Sequence, residues 1–195
     1  MGSGKNGTFD IHPDFNQWAI LFVANNSTIK APSFIYNYLK SFHCDIKEFL
    51  LEPIEGFGFW DNKNIFGDLP KRTDYDGAVA VLTRATIRLN RLKNFWRNVE
   101  SVSNKMKSAK GLIASYGIGE MPWIKQATFS VWENKNAMKA FAYTLPEHTE
   151  VIHKTRTENW YKEELFVRFK IISVRGINET IAAKMLNLQP HYEEA

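Results

Sequence analysis

Apolar and polar positions repeat along this chain with a period near two in some segments and near 3.6 in others, and the succession of the two periods lays out its elements. Gln17 to Ala24 (QWAILFVA) is an apolar run closed by Asn25, Asn26 and Ser27, the pattern of a buried strand followed by a turn. After Pro32, the residues Phe34, Ile35, Tyr38, Leu39 and Phe42 recur at intervals of three and four, which predicts an amphipathic helix over 33–42. Phe49 to Leu51 predicts a short strand. Glu55 to Gly67 (EGFGFWDNKNIFG), rich in glycine and aromatic residues, predicts a structured loop, and Asp68 to Asp76 a linker.

The periods become cleaner beyond it. Gly77 to Arg88 (GAVAVLTRATIR) is a β-branched segment long enough to cross a sheet. Leu92, Phe95, Trp96, Val99, Val102 and Met106 form one stripe of a helix that Gly111 stops. Two strands follow, Leu112 to Tyr116 and Ala127 to Trp132, joined by a loop with Gly117, Gly119 and Pro122. Asn134 caps a helix over Lys135 to Tyr143, Pro146 opens a helical stretch reaching Thr157, and Leu165 to Val174 (LFVRFKIISV) is the last strand. Ile181, Ala182, Met185 and Leu188 give the tail helical spacing.

The order β-α-β-β-α-β is that of the ferredoxin-like split β-α-β, an α+β fold with helices on one face of an antiparallel sheet. The other face needs a cover, from a matching sheet in the first half or from a second copy. The expected organisation is a partial ferredoxin-like half over 1–70, a ferredoxin-like domain over 77–175 and a helical tail over 176–195.

Composition adds exclusions. With 195 residues, 44% of them hydrophobic, the chain buries a real core, and its net charge of +4 is spread among acids, which argues against nucleic-acid binding. Cys44 is the one cysteine, so neither an internal disulfide nor a cysteine-based metal centre forms. Met1 to Asp10 has no apolar core of a signal peptide and no later stretch is long enough to span a bilayer, which predicts a cytoplasmic protein that touches membranes only for its substrate. The glycines at 117 and 119 lack a G-x-G-x-x-G or Walker context and read as turn residues.

Five strings occur in a familiar order: Val81 to Arg88 (VLTRATIR), Gly117 to Glu120 (GIGE), Gln126 to Trp132 (QATFSVW), Phe141 to Tyr143 (FAY) with His148, and Trp160 to Phe169 (WYKEELFVRF). Together they resemble the spheroidene monooxygenase family. Upstream, Gly2 to Gly4, Pro13, Trp18, and the loop with Trp60, Asn64 and Phe66 fit the same family, with Met1 standing where a preceding β-α-β unit is expected to have ended, so that the first half reads as incomplete. The resemblance implies a dimeric α+β barrel, hence a homodimer, and an oxygen-dependent enzyme that introduces a keto group into acyclic carotenoids. It also implies haem as cofactor and an external electron donor such as a ferredoxin.

Among the five histidines, only His148 falls at the family's matching position, five residues after Tyr143, and the resemblance makes it the proposed haem ligand. On a helix its face is mostly apolar, which equally describes an ordinary core histidine. Arg84 and Arg88 point to one face of a strand, where each is a catalytic or propionate-binding candidate or a member of a salt bridge, with Glu120 a counter-charge for Arg84. Arg168 carries the same two readings. Trp132, Tyr143 and Trp160 are candidate walls of a flat apolar pocket or plain core. Glu163 and Glu164 point oppositely in a strand and read as surface residues or partners of Arg156 and Arg168, not as a carboxylate pair. Two other readings remain open: a cofactor-free monooxygenase of the antibiotic-biosynthesis type, and a non-catalytic haem or apolar-ligand scaffold.

Overall fold

The most β-branched strand of the molecule, Val79–Ile87 (β4), lies inside the sheet, and most of its side chains are buried, on both faces. The computed structural model describes residues 1–4, 9–25, 30–144 and 153–187. In chain order its elements are β1 (Gly2–Ser3), β2 (Pro13–Asp14), α1 (Ser33–Ser41), β3 (Glu48–Gly58), β4, a 3-10 turn (Leu89–Arg91), α2 (Leu92–Lys107), β5 (Leu112–Met121), β6 (Lys125–Trp132), α3 (Lys135–Thr144), β7 (Tyr161–Arg175) and α4 (Glu179–Leu186). A helical segment at 153–157 precedes β7.

The described strands form one antiparallel sheet ordered β2-β1-β5-β6-β4-β7-β3. Its central part, β5-β6-β4-β7 with α2 and α3 as the crossovers, is the ferredoxin-like α+β arrangement. Strands from residues 1–70 extend this same sheet at both edges: β1 and β2 beside β5, β3 beside β7. Val79, Val81, Trp132 and Met138 are buried on the helix-bearing side, and Ile87, Phe95, Val99 and Trp160 form a second buried cluster there. Ala80, Leu82, Val167, Phe169 and Ile171 fill the other face. That face is concave: the ring of Phe49 on β3 meets that of Phe129 on β6 at 5.1 Å, three places along the sheet, where a flat sheet would hold the strands about 14 Å apart. The chain covers much of this face itself, with Trp60, Phe66 and Leu69 from the loop after β3 and Met185 from α4.

Several expectations are corrected here. Residues 17–24 form no strand among the described residues; the run is extended and exposed, with Trp18 67% accessible, because the two-residue β1 occupies the edge of β5. The helix at Ser33–Ser41 forms as its spacing predicts, yet none of its residues is buried. The strand expected at 49–51 spans eleven residues and takes in the aromatic–glycine segment through Gly58. A Cβ at Gly56 would lie 2.9 Å from Phe166 O, and one at Gly58, where φ is +95°, would lie 2.1 Å from Glu164 O, so glycine lets β3 approach β7. Gly117 and Gly119 lie inside β5, whose turn to β6 is the tight one around Trp123. No helix among the described residues is long and apolar enough to cross a membrane.

Candidate functional site

Arg84 sits mid-strand on the concave face, opposite Leu165 on β7 and Ala127 on β6, and is 1% accessible. A guanidinium placed there is tolerable only with carboxylate partners. Three neighbours supply them. Nε donates to Glu120 Oε2 at 2.8 Å, Nη1 to Glu163 Oε1 at 2.7 Å and Nη2 to Asp61 Oδ1 at 2.9 Å, while the ring of Trp60 stacks 4.7 Å from the guanidinium carbon. Asp61 and Asn62 have φ of +50° and +62°, as a type I′ turn between Trp60 and Lys63 requires, and their N–H groups donate to Glu163 at 2.8 and 2.7 Å. Lys125 reaches both Asp61 oxygens at 2.8 Å.

The cluster thus sets two cations against three carboxylates. Lys125 and Arg84 hold the Asp61 carboxyl below its ordinary range. Burial pushes Glu163 up, but the turn's N–H groups and Arg84 outweigh it and leave it lowered. Burial likewise opposes the charge on Arg84, and the three carboxylates raise its pKa regardless. The arrangement holds a loop over the concave face, with every guanidinium nitrogen donating to protein.

A second buried cluster lies on the helix side. Glu55 on β3, 1% accessible, accepts from Thr73 N at 2.9 Å, Thr73 Oγ1 at 2.8 Å and Lys135 Nζ at 2.8 Å, and its other oxygen pairs with Arg168. Burial alone would raise its pKa; Lys135, Thr73 and Arg168 hold it at about 2. The Arg168 guanidinium also stacks on Phe166 at 4.8 Å, and its buried Nε has no hydrogen-bond partner among the described residues.

Of the residues singled out by sequence, Glu120 pairs with Arg84 as expected. Glu163 serves Arg84, while Arg168 is paired with Glu55; alternation along β7 gives the face of Glu163, and only the register with β4 gives its partner. Arg88 does not join Arg84: β4 ends at Ile87 after a register shift, leaving Arg88 exposed at the start of the 3-10 turn. Trp132 and Trp160 are each 1% accessible and belong to different helix-side clusters. Trp132 pairs with Val79 and Trp160 bonds to Arg88, so β4 separates them by roughly 26 Å. The backbone of Tyr143 lies in the last turn of α3, and His148 lies outside the described residues. The described histidines, His12, His43 and His153, are not buried, and no group of three or more His, Cys, Asp or Glu among the described residues is placed to hold a metal ion.

Room for a ligand appears elsewhere. Residues 9–12, α2 and the β5–β6 turn enclose a groove of about 750 Å³, walled by Phe9, Ile11, Leu92, Trp96 and Trp123, with Lys93 and Arg97 at its border. Trp123 Nε1 donates to Ile11 O at 3.1 Å and Trp96 Nε1 to Trp123 O at 3.2 Å, which fixes both indoles. Sequence reasoning passed over it because its walls come from three distant segments. The readable signal was the run Arg88 to Val99 (RLNRLKNFWRNV), which holds four cations and no acid.

No protein-family model matches the chain. It is 33% identical over 183 residues to the spheroidene monooxygenase of Cereibacter sphaeroides, covering 90% of this chain and 56% of that protein, so it spans little more than half the length of this relative. It is 30% identical to the enzyme of that name from Rhodobacter capsulatus, over 95% of this chain and 80% of the relative. For the one from Rubrivivax gelatinosus the identity is 32%, over 91% and 69%. Among solved structures, a Fusobacterium nucleatum protein described as a monooxygenase superposes with TM-score 0.44 at 10% identity, over 64% of this chain and 50% of that one. A Bacteroides thetaiotaomicron protein described as an antibiotic biosynthesis monooxygenase gives 0.40 at 15%, over 47% and 86%.

Proposed function

Because this chain belongs to the spheroidene monooxygenase family, we propose that it is a cytoplasmic monooxygenase-like oxidoreductase acting on a long apolar substrate, an acyclic carotenoid in the first instance. The observation that carries this reading is the similarity to three spheroidene monooxygenases over 90%, 95% and 91% of the chain. In each turnover one atom of O2 enters the substrate as a hydroxyl and the other leaves as water, which consumes two electrons and two protons from an external donor such as a ferredoxin; a second turnover at the same carbon gives a gem-diol, which loses water to leave the keto group. The aromatic groove beside α2 has walls and volume suited to part of a polyene. The exposed apolar faces of residues 18–23 and α1 favour a homodimer, which sedimentation velocity tests.

Haem is the cofactor this family reading brings with it, but the described residues do not converge into a cradle for one. Arg84 is committed to three carboxylates, and Trp132 and Trp160 are buried at opposite ends of the sheet. We therefore derive no step through haem; its place in this protein rests on His148. The test is the absorption spectrum of the purified protein with and without added haemin, beside His148→Ala, followed by turnover of an acyclic carotenoid with a ferredoxin and its reductase. A Soret band lost in the variant, with a ketocarotenoid product, is the expected result. Turnover with no Soret band would replace haem by the cofactor-free reading, and a Soret band without turnover by the scaffold reading.

A further inference from the structure

One end of the molecule combines features that the proposed chemistry does not use. The 3-10 turn exposes Leu89 at 71% accessibility and the β5–β6 turn exposes Trp123 at 51%; Met121 and Ile11, also exposed, lie beside Trp123 in sequence and through a hydrogen bond. Ile87 N donates to Ile124 O at 2.8 Å, tying the two turns together at one end of the sheet. Around them stand Arg88, Lys93 and Arg97, all exposed and with no carboxylate partner among the described residues. Two of the described acids close by are engaged: Asp10 accepts from His12 N, and Glu158 from Trp160 and Asn94. The first turn of α2 carries no acid, so cations gather at the positive end of the helix dipole, which disfavours the isolated protein and favours an anionic partner.

We infer that this end, Leu89, Trp123, Lys93 and Arg97 foremost, docks onto a lipid bilayer bearing anionic headgroups, with the apolar residues entering the interface and the cations meeting the headgroups. Charge complementarity selects the anionic surface, and exposed leucine and tryptophan at its centre select lipid over an acidic protein, since both side chains favour the boundary between headgroups and acyl chains. The mouth of the aromatic groove lies within this surface, so a bilayer-dissolved ligand reaches it without crossing water. The inference stands on this surface alone and holds whether or not the oxygenation chemistry does.

The experiment is co-sedimentation of the full chain with vesicles of phosphatidylcholine alone and of phosphatidylcholine mixed with phosphatidylglycerol, at low and high salt. Binding is expected on the anionic vesicles and weakened by salt. Lys93→Gln with Arg97→Gln is expected to weaken it about 30-fold. Leu89→Ser, at a position too exposed to disturb folding, is expected to weaken it several-fold, and Leu89→Ser with Trp123→Asn further, with far-UV circular dichroism unchanged. Failure to bind anionic vesicles would overturn the inference. So would binding that responds to the cation pair but not to the apolar pair, which would reduce the contact to electrostatic adsorption with no entry of Leu89 and Trp123 into the interface.

Discussion

At Glu55 four donors from three residues converge on a carboxylate that solvent barely reaches, and the balance between burial and those donors sets how stability responds to acid. Its folded pKa of about 2 lies below the ordinary 4.5, so its contribution is complete above the ordinary value and is lost as pH falls from about 4.5 towards 2. The amount is on the order of 3 kcal/mol. Glu55→Gln leaves Lys135 and Arg168 buried without their carboxylate, and should cost about 3–5 kcal/mol at pH 7 while flattening the acid limb of the stability curve. Urea unfolding at pH 7 and pH 3 measures both; an unchanged acid limb would show that Glu55 does not govern it. Arg84→Met has the same pH sense. Without the guanidinium, Glu163 keeps the turn's N–H groups but loses part of what offsets its burial, so its pKa rises from the wild-type position and the variant's deficit of about 3–5 kcal/mol at pH 7 should shrink near pH 4. A deficit that grows on acidification would contradict this. The Arg84–Glu120 pair was legible because a cation inside a strand calls for a carboxylate, which named Glu120 even though it read as a loop residue; Asp61 was not, because its approach depends on a left-handed turn that residue types alone leave open.

Among elements, β4 and β7 were legible because each has a strand partner on both sides, and α2 and α3 because each packs one apolar stripe on the sheet, so that the apolar period reports burial faithfully. Residues 17–24 show the limit: an apolar run states what would be buried, not that an adjacent strand exists to bury it. β3 shows the converse, since its glycines look like loop residues until the approach to β7 gives them a role. Gly58 and Gly67 separate the two costs of replacing glycine. At Gly67 φ is +71° with open space around a Cβ, so Gly67→Ala should cost about 1–2 kcal/mol from backbone conformation alone. At Gly58 the same strain is joined by a collision with Glu164 O, and Gly58→Ala should exceed the Gly67 value by at least about 1 kcal/mol and shift β3. Thermal unfolding of the two variants side by side measures the difference; equal losses would mean that β3 yields at no cost.

For the whole molecule, the sequence divides the chain near the 68–76 linker, while the sheet runs across that division. β3 pairs with β7 along its length, and residues before the linker supply counter-charges to both buried clusters: Asp61 to Arg84, Glu55 to Lys135 and Arg168. A fragment of residues 77–187 would keep the ferredoxin-like order of strands and yet leave Arg168 and Lys135 without the carboxylate that neutralises them, and the edge of β7 open. Local pattern marks this segment as a domain, and the buried ion pairs across the division argue against its folding alone. The full chain should unfold in one transition, with tryptophan fluorescence, which samples Trp60 on the concave face and Trp132 and Trp160 on the helix side, coinciding with far-UV circular dichroism. The fragment should show no cooperative transition. If it folded alone, with a transition matching part of a two-step curve in the full chain, the edge strand and its carboxylates would be an addition to a self-sufficient domain, and the buried cations would have to find other partners.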